Sequence, residues 1–217
     1  MIRLPRTWPV LSRPLLALLL TLTVAGCAIL PARPATRLYV LTPKSTYDAA
    51  LPKVDWQLSI DAPIAVSGLN TSRVAVMRRP LTMEYFERAN WIDTAPRMVH
   101  RLLIESFENS GRIIGVGRQS VALRADYSLI TELREFQAES YEGKQTVHVR
   151  INAKLVRLPE RIIISTISAD QRVPFEGTGM EDIVRAFDYA LGKSLKQVVN
   201  WTLRAAPPAS PRAQRRR

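Results

Sequence analysis

The sequence predicts an α+β domain, in which an antiparallel sheet with a long hairpin packs against two main helices. Two segments, about residues 96–109 and 179–204, carry apolar side chains at helical spacing. Several shorter segments alternate apolar and polar side chains, as half-buried strands do. Short turns separate the clearest of these segments, which favours antiparallel pairing and helices packed on one face of the sheet.

Three candidate strands precede the first helix. Residues 37–42 and 73–77 are short strand candidates, and residues 56–62 alternate in a way that predicts one buried and one solvent-facing side. Residues 43–53 are typical of a loop. Residues 83–91 contain several aromatic side chains and follow no single periodic pattern.

The first helix has recognisable signals at both ends. Asp93 or Thr94 can cap its start, and Pro96 is tolerated in its first turn. Gly111 stands where a left-handed residue commonly ends a helix. The apolar stripe between these signals consists of Met98, Val99, Leu102, Leu103 and Phe107.

A meander of strands is predicted after this helix. Residues 113–116 form a short strand, and the alternation that starts at Tyr127 changes phase near Glu135, which indicates a bulge. Residues 146–155 alternate most regularly, and residues 161–173 are expected to be their antiparallel partner. On the first of these two strands, valines and isoleucine face inward and His148 faces outward.

The second helix is predicted to begin with a capping box made by Thr178 and Glu181. It runs to about Arg204. The tail that follows, residues 205–217, contains three prolines and is expected to be disordered. Its basic residues are Arg212, Arg215, Arg216 and Arg217.

The start of the chain predicts export and lipidation. Three arginines precede an apolar run at residues 15–25, which has the length of a signal-peptide core and is too short to span a bilayer. The run ends in Val-Ala-Gly before Cys27, which resembles a bacterial lipobox with valine where leucine is more usual. The alternative is a buried cysteine in an ordinary apolar segment. Cys27 is the only cysteine in the chain, so it cannot form an intramolecular disulfide.

These signals divide the chain into four parts. Residues 1–26 are a lipoprotein signal peptide, residues 27–36 a tether, residues 37–204 a single domain, and residues 205–217 a basic tail. Acyl chains on Cys27 would hold the mature protein at a membrane. Ala28 follows the cysteine where aspartate would favour retention at the inner membrane, so we expect the periplasmic face of the outer membrane.

The basic composition is concentrated at the two ends of the chain. The formal net charge of +12 includes three arginines in residues 1–26 and four in residues 205–217, and neither stretch contains an acidic residue. Export and the lack of a nucleic-acid-binding motif argue against a nucleic-acid partner. The arginines at positions 212, 215, 216 and 217 instead predict contact with an anionic surface, the alternative being an ordinary solvated tail.

The sequence predicts neither an enzyme nor a metal or cofactor site. His100 and His148 have no second histidine or cysteine nearby at ligand spacing. Residues 115–117 lack the third glycine of a dinucleotide-binding loop, and a turn explains them. Glu105 and Glu108 fit an ordinary solvated helix face better than a carboxylate metal bundle.

Residues 73–112 carry a series of features in a specific order. A short strand, Arg-Val-Ala-Val, is followed by Glu-Tyr-Phe at 84–86, by Trp-Ile-Asp at 91–93, and by a helix that closes at Ser-Gly. This order, after a lipobox and an early Leu-Tyr-Val-Leu, resembles the ABC-type transport auxiliary lipoproteins, the family that includes the PqiC lipoproteins. The family often has alanine where Ile92 stands. The likeness extends more weakly over the whole mature domain.

The resemblance implies a non-catalytic envelope component. Such lipoproteins accompany mammalian-cell-entry (MCE) type lipid transport systems, so the implied partner is an MCE-domain protein of an ABC transport system. The family is also associated with oligomeric assemblies, which implies a homo-oligomer as a further option. Tyr85, Phe86 and Trp91 are the candidate partner contacts, the alternative being that these rings belong to the core.

Two other functions remain open at this point. The first is a lipoprotein that supports assembly of an outer-membrane barrel or of lipopolysaccharide. The second is a periplasmic lipid carrier, which should contain an apolar cavity that its own side chains leave unfilled.

Overall fold

The computed structural model describes residues 35–118 and 124–206. This part of the chain forms a mixed sheet with two helices, which confirms the predicted α+β class. In chain order the elements are β1 (Arg37–Tyr39), β2 (Val54–Ile60), β3 (Ile64–Ala65), β4 (Arg73–Arg79), β5 (Thr82–Trp91), α1 (Ala95–Ser110), β6 (Ile113–Arg118), β7 (Tyr127–Tyr141), β8 (Lys144–Arg157), β9 (Ile162–Pro174) and α2 (Met180–Ala205).

The sheet is not antiparallel throughout, so that part of the prediction is wrong. β7 runs parallel to β2, β3 and β4, which lie along one of its sides. β1 is parallel to β5, and β2 is parallel to β6. Parallel neighbours need a long crossover, and here α1 and β6 lie in the connection between the early strands and β7. Alternation within one strand does not show the direction of its neighbour.

The second half of the sheet is antiparallel. β7 pairs with β8 along its whole length, and β8 pairs with β9. Glu142 and Gly143 connect β7 to β8, and both have positive φ, as a two-residue hairpin turn requires. The register shifts between Leu133 and Glu135, which confirms the predicted bulge.

The core lies between the sheet and the two helices. Alternate residues of β8 contribute small and branched side chains, and α2 contributes a stripe that packs on β8 and β9. The largest fully buried side chains include Trp56, Trp91, Phe107, Phe136 and Phe187. The rings of Trp56 and Tyr127 pack edge to face, with centroids 5.1 Å apart, and this contact joins β2 to β7.

The helix ends agree with the sequence only in part. Thr94 occupies the N-cap of α1 without a side-chain capping bond, and Gly111 ends the helix with φ of 59°, as predicted. The capping box predicted for α2 is wrong, because Gly179 occupies its N-cap position. Gly177 has φ of 89° and turns the chain before Thr178, so Thr178 precedes the cap. Among the described residues, no helix is long and apolar enough to cross a bilayer.

The loop between β1 and β2 is fixed against α1. The amide of Lys44 donates to the Ser106 hydroxyl at 3.0 Å, and the Tyr47 hydroxyl donates to the Ser106 carbonyl oxygen at 2.8 Å. Burial raises the pKa of the Tyr47 hydroxyl to about 12. Leu41 and Leu51 are buried, and they anchor the loop in the core.

Candidate functional site

Trp91, predicted as a partner contact, lies in the core. Only 1% of its surface is exposed. Its ring meets that of Phe187 edge to face, with centroids 5.0 Å apart, and that of Phe136 with centroids 5.6 Å apart. The structure therefore contradicts the interpretation of Trp91 as an exposed anchor. The sequence left this undecided, because an aromatic residue at the end of a strand suits either role.

Tyr85 and Phe86, the other two predicted contacts, are half-buried on β5. The Tyr85 hydroxyl donates to the Gly68 carbonyl oxygen at 3.0 Å, and the Arg73 guanidinium lies 3.9 Å from the centre of the Tyr85 ring. The guanidinium of Arg78 lies 5.6 Å from the centre of the Phe86 ring. Each aromatic ring is thus covered in part by an arginine. Their role as partner contacts stays a prediction.

The remaining predicted site residues lie outside the described part of the chain. Cys27 precedes it, and the four tail arginines at 212, 215, 216 and 217 follow it. Lipidation and contact with an anionic surface therefore stay predictions from the sequence.

His100 is a structural residue. Its Nε2 atom lies 2.9 Å from the carbonyl oxygen of Ile60, so the ring joins α1 to the end of β2. Burial raises the pKa of the neighbouring Asp61 carboxyl, while His100 and Arg161 act in the opposite direction. The imidazole is therefore engaged in a contact that links two elements of the fold.

His148 lies on the outward side of β8, as predicted, yet only 2% of its surface is exposed. Its Nδ1 atom is 3.1 Å from a carboxylate oxygen of Glu139, and its Nε2 atom is 2.9 Å from one of Asp170. A guanidinium nitrogen of Arg172 lies 3.2 Å from Nδ1. Side chains from β7 and β9, the strands on both sides, cover the ring. The alternation of apolar and polar residues in β8 alone cannot show that its outward side is covered in this way.

The contacts of His148 extend into what we call the charged stripe, a line of paired polar side chains across β7, β8 and β9. Arg150 donates to Glu135 at 2.5 Å, and the Gln137 amide donates to the other oxygen of Glu135 at 2.8 Å. The stripe comprises Glu135, Gln137, Glu139, His148, Arg150, Asp170 and Arg172. No group of residues suited to hold a metal ion occurs in the described part of the chain.

We expect His148→Ala to lower the free energy of unfolding by about 3 kcal/mol, because it removes a buried ring and leaves the side chain of Glu139 buried without its hydrogen-bond partner. Chemical denaturation of the wild type and the variant gives this value. Ser168→Ala is the matched control, since the Ser168 side chain is exposed on the same sheet and its hydroxyl bonds to Asn152. A loss for His148→Ala as small as that of the control would contradict a structural role for the stripe.

A groove lies between β9 and the second half of α2, with a volume of about 740 Å³. Ile167 and Trp201 form its apolar part, and the indole N–H of Trp201 donates to the Ser165 hydroxyl at 3.2 Å. Lys193 and Arg204 are among the cations that line it. The residues that line it include no acidic side chain. The groove is open to solvent, so it is not the enclosed cavity expected of a lipid carrier.

Solved structures share this fold. The crystal structure of protein XCC0632 from Xanthomonas campestris, assigned to family DUF330, superposes with a TM-score of 0.74. It is 26% identical in sequence, and the likeness covers 78% of this chain and 95% of that one. The crystal structure of an uncharacterised protein, 14% identical, superposes with a TM-score of 0.58 over 72% of this chain and 97% of that one.

The chain belongs to the family of ABC-type transport auxiliary lipoprotein components, whose family model matches residues 39–199. This match confirms the resemblance found in the sequence. Membership in a lipoprotein family indicates a membrane-anchored location in the cell envelope.

A curated relative is the uncharacterised protein bll6063 of Bradyrhizobium diazoefficiens. It is 27% identical over 173 residues, which cover 75% of this chain and 46% of the relative. The chain thus spans about half the length of the curated relative that it matches.

Proposed function

We propose that this protein is a non-catalytic auxiliary component of an MCE-type ABC transport system that moves lipids across the cell envelope. The observation that carries the proposal is the family match over residues 39–199, which takes in nearly the whole folded domain. Acylated Cys27 holds the protein at the outer membrane, with the domain on the periplasmic side. The partner is an MCE-domain protein.

The geometry of the domain supports a docking role. Its two histidines are engaged in contacts that join secondary-structure elements, His100 with β2 and His148 within the charged stripe. Potential recognition features instead lie at the surface, as the half-buried rings of Tyr85 and Phe86 and as the groove beside α2. Such an arrangement suits recognition of a partner better than chemical turnover.

Purification of the native lipoprotein from crosslinked membranes tests this proposal. We expect mass spectrometry to find an MCE-domain protein enriched with the wild-type chain. Recovery of barrel-assembly or lipopolysaccharide-transport proteins alone would replace the proposal with the assembly alternative. A stoichiometric phospholipid retained by the purified protein, without a protein partner, would favour the carrier alternative.

The basic tail is expected to act at membranes through its charge. Removal of residues 207–217 should change the free energy of unfolding by less than about 0.5 kcal/mol, because α2 ends at Ala205. It should weaken binding of the unlipidated protein to anionic liposomes at low salt, since each basic residue near such a surface contributes about 1 kcal/mol. Cosedimentation at low and high salt measures this binding.

A second variant separates charge from chain length in the tail. Glutamine at positions 212, 215, 216 and 217 keeps the length and removes the four arginines. We expect this variant to bind as weakly as the truncated chain. Equal binding by all three proteins at both salt concentrations would show that the tail has no electrostatic role at membranes.

A further inference from the structure

β9 is a long strand at an open edge of the sheet. It contains 13 residues and, among the described strands, pairs only with β8. Within the described residues, no backbone hydrogen bond connects β9 to a strand on its other side. Backbone N–H and C=O groups along this edge are therefore available to another extended chain.

The composition of β9 leaves the first part of this edge without charges. Residues 162–169 are isoleucine, serine, threonine and alanine, with neither a charge nor a proline. Natural edge strands are usually kept short, or carry charges, prolines or bulges that prevent pairing with other chains. β1 and β6, which also end the sheet, have three and six residues. The register of β9 with β8 shifts at Ile164, and Asp170, Arg172 and Pro174 lie near its end, but residues 165–169 form an uncharged stretch without proline that a partner strand can cover.

The groove supplies a charge preference beside this edge. Lys193 and Arg204 line it, and neither forms an ion pair with a described residue. Lys196 also lines it but is already bonded to Asp48 at 3.2 Å. Neither Arg204 nor Lys193, whose Nζ lies 4.7 Å from the centre of the Tyr189 ring, has a carboxylate partner among the described residues, and the indole of Trp201 provides an apolar surface in the same groove.

We propose that an extended, acidic segment of another protein adds to the sheet as a strand beside β9. Its backbone bonds to the free edge, and alternate side chains enter the groove, where carboxylates meet Lys193 and Arg204 and apolar groups meet Trp201. Peptides that add to a sheet edge gain affinity from backbone bonds and specificity from alternate side chains.

A second copy of this chain fits the edge poorly. β1 and β6, the other strands at the ends of the sheet, contain Arg37 and Arg118 and no acidic residue. β9 itself contains Asp170, which is already bonded to His148. Pairing of two β9 strands would also bring two basic grooves together. Opposite charges favour a cross-strand pair and like charges oppose it, so the partner is a different, acidic chain.

Photocrosslinking in cells tests the proposal with the intact lipoprotein. A photoreactive phenylalanine analogue is placed at Thr166 or at Ser168, both exposed on β9, and at Leu81, in the turn between β4 and β5, as the control. We expect the two β9 positions to crosslink to one segment of another protein, and peptide mapping to find that segment rich in aspartate and glutamate. The control at Leu81 should not give this adduct.

Charge reversal provides the second measurement. Lys193→Glu combined with Arg204→Glu should lower the yield of the β9 adduct about tenfold, because like charges then face each other. Lys193→Arg with Arg204→Lys keeps the charge and should preserve the yield. Thermal unfolding of both double variants verifies that each is folded.

A synthetic copy of the mapped segment completes the test. It should bind the purified protein, and methylation of its backbone nitrogens should abolish binding. Adducts only with lipid or a second copy, a mapped segment without acidic excess, no adduct, or insensitivity to charge reversal would each overturn the proposal. The inference does not depend on the transport function. An acidic segment from a protein without an MCE domain would support it and contradict the proposed function.

Discussion

Replacement of Trp91 by alanine is expected to lower the free energy of unfolding by about 4 kcal/mol, as is usual when a buried tryptophan or phenylalanine is truncated. Trp91 contacts Phe136 on β7 and Phe187 on α2. Truncation of its side chain would therefore leave a cavity where β5, β7 and α2 meet. Chemical denaturation followed by circular dichroism measures the change.

Ile92→Ala is the matched control for this prediction. Ile92 follows Trp91 directly, and 55% of its surface is exposed, so the variant should lose less than about 0.5 kcal/mol. If Trp91→Ala instead kept the stability of the wild type and lost its protein partner, Trp91 would be a contact residue and its place in the core would be wrong. Loss of stability without a specific effect on the partner is the expected result.

Replacement of Cys27 by serine is expected to abolish acylation, because the hydroxyl of serine cannot take the place of the thiol in lipoprotein processing. The variant should accumulate as an uncleaved or soluble form that no longer floats with membranes. Two or more acyl chains make a stable anchor, and a protein without them lacks that contribution entirely. Metabolic labelling with a clickable fatty acid and flotation in a density gradient measure the two effects.

Ala28→Ser serves as the control for the cysteine variant, since it changes the neighbouring residue and keeps the thiol. It should incorporate the fatty acid as the wild type does. Ordinary membrane flotation of Cys27→Ser, together with normal labelling, would remove the basis for treating this chain as lipidated at Cys27.

Local features of the fold could be predicted from the sequence. Both helices could be predicted from the spacing of their apolar residues. The role of Gly111 in ending α1 could be predicted from its position after the apolar stripe, and the bulge near Glu135 from the change of phase in the alternation of apolar and polar residues. Each of these is set by neighbours within a few residues. The direction of strand pairing was not predictable in this way, because it depends on contacts between residues far apart in the chain.

The candidate site was harder to predict for the same reason. The sequence placed His148 correctly on the outward side of β8, but Glu139 and Asp170 approach it from two other strands. The uncharged stretch of β9 can be recognised in the sequence, but only the topology shows that none of the described strands pairs with its outer edge. For Trp91, the deciding contacts come from β7 and α2, and no pattern around residue 91 indicates them.

The parallel arrangement around β7 has a consequence for how the chain folds. β2, β3 and β4 lie end to end along one side of β7, and the bond between the Gln57 amide and the Asp126 carboxylate spans 69 positions. β2 and β3 therefore have no strand neighbour until residues from Ile113 onward are available, whereas β4 pairs with β5, the next strand along the chain. Topologies dominated by such distant contacts fold slowly. If the chain is exported N-terminus first, as the proposed function requires, these strands would be exposed throughout translocation, and we expect its maturation to depend on chaperones of the receiving compartment.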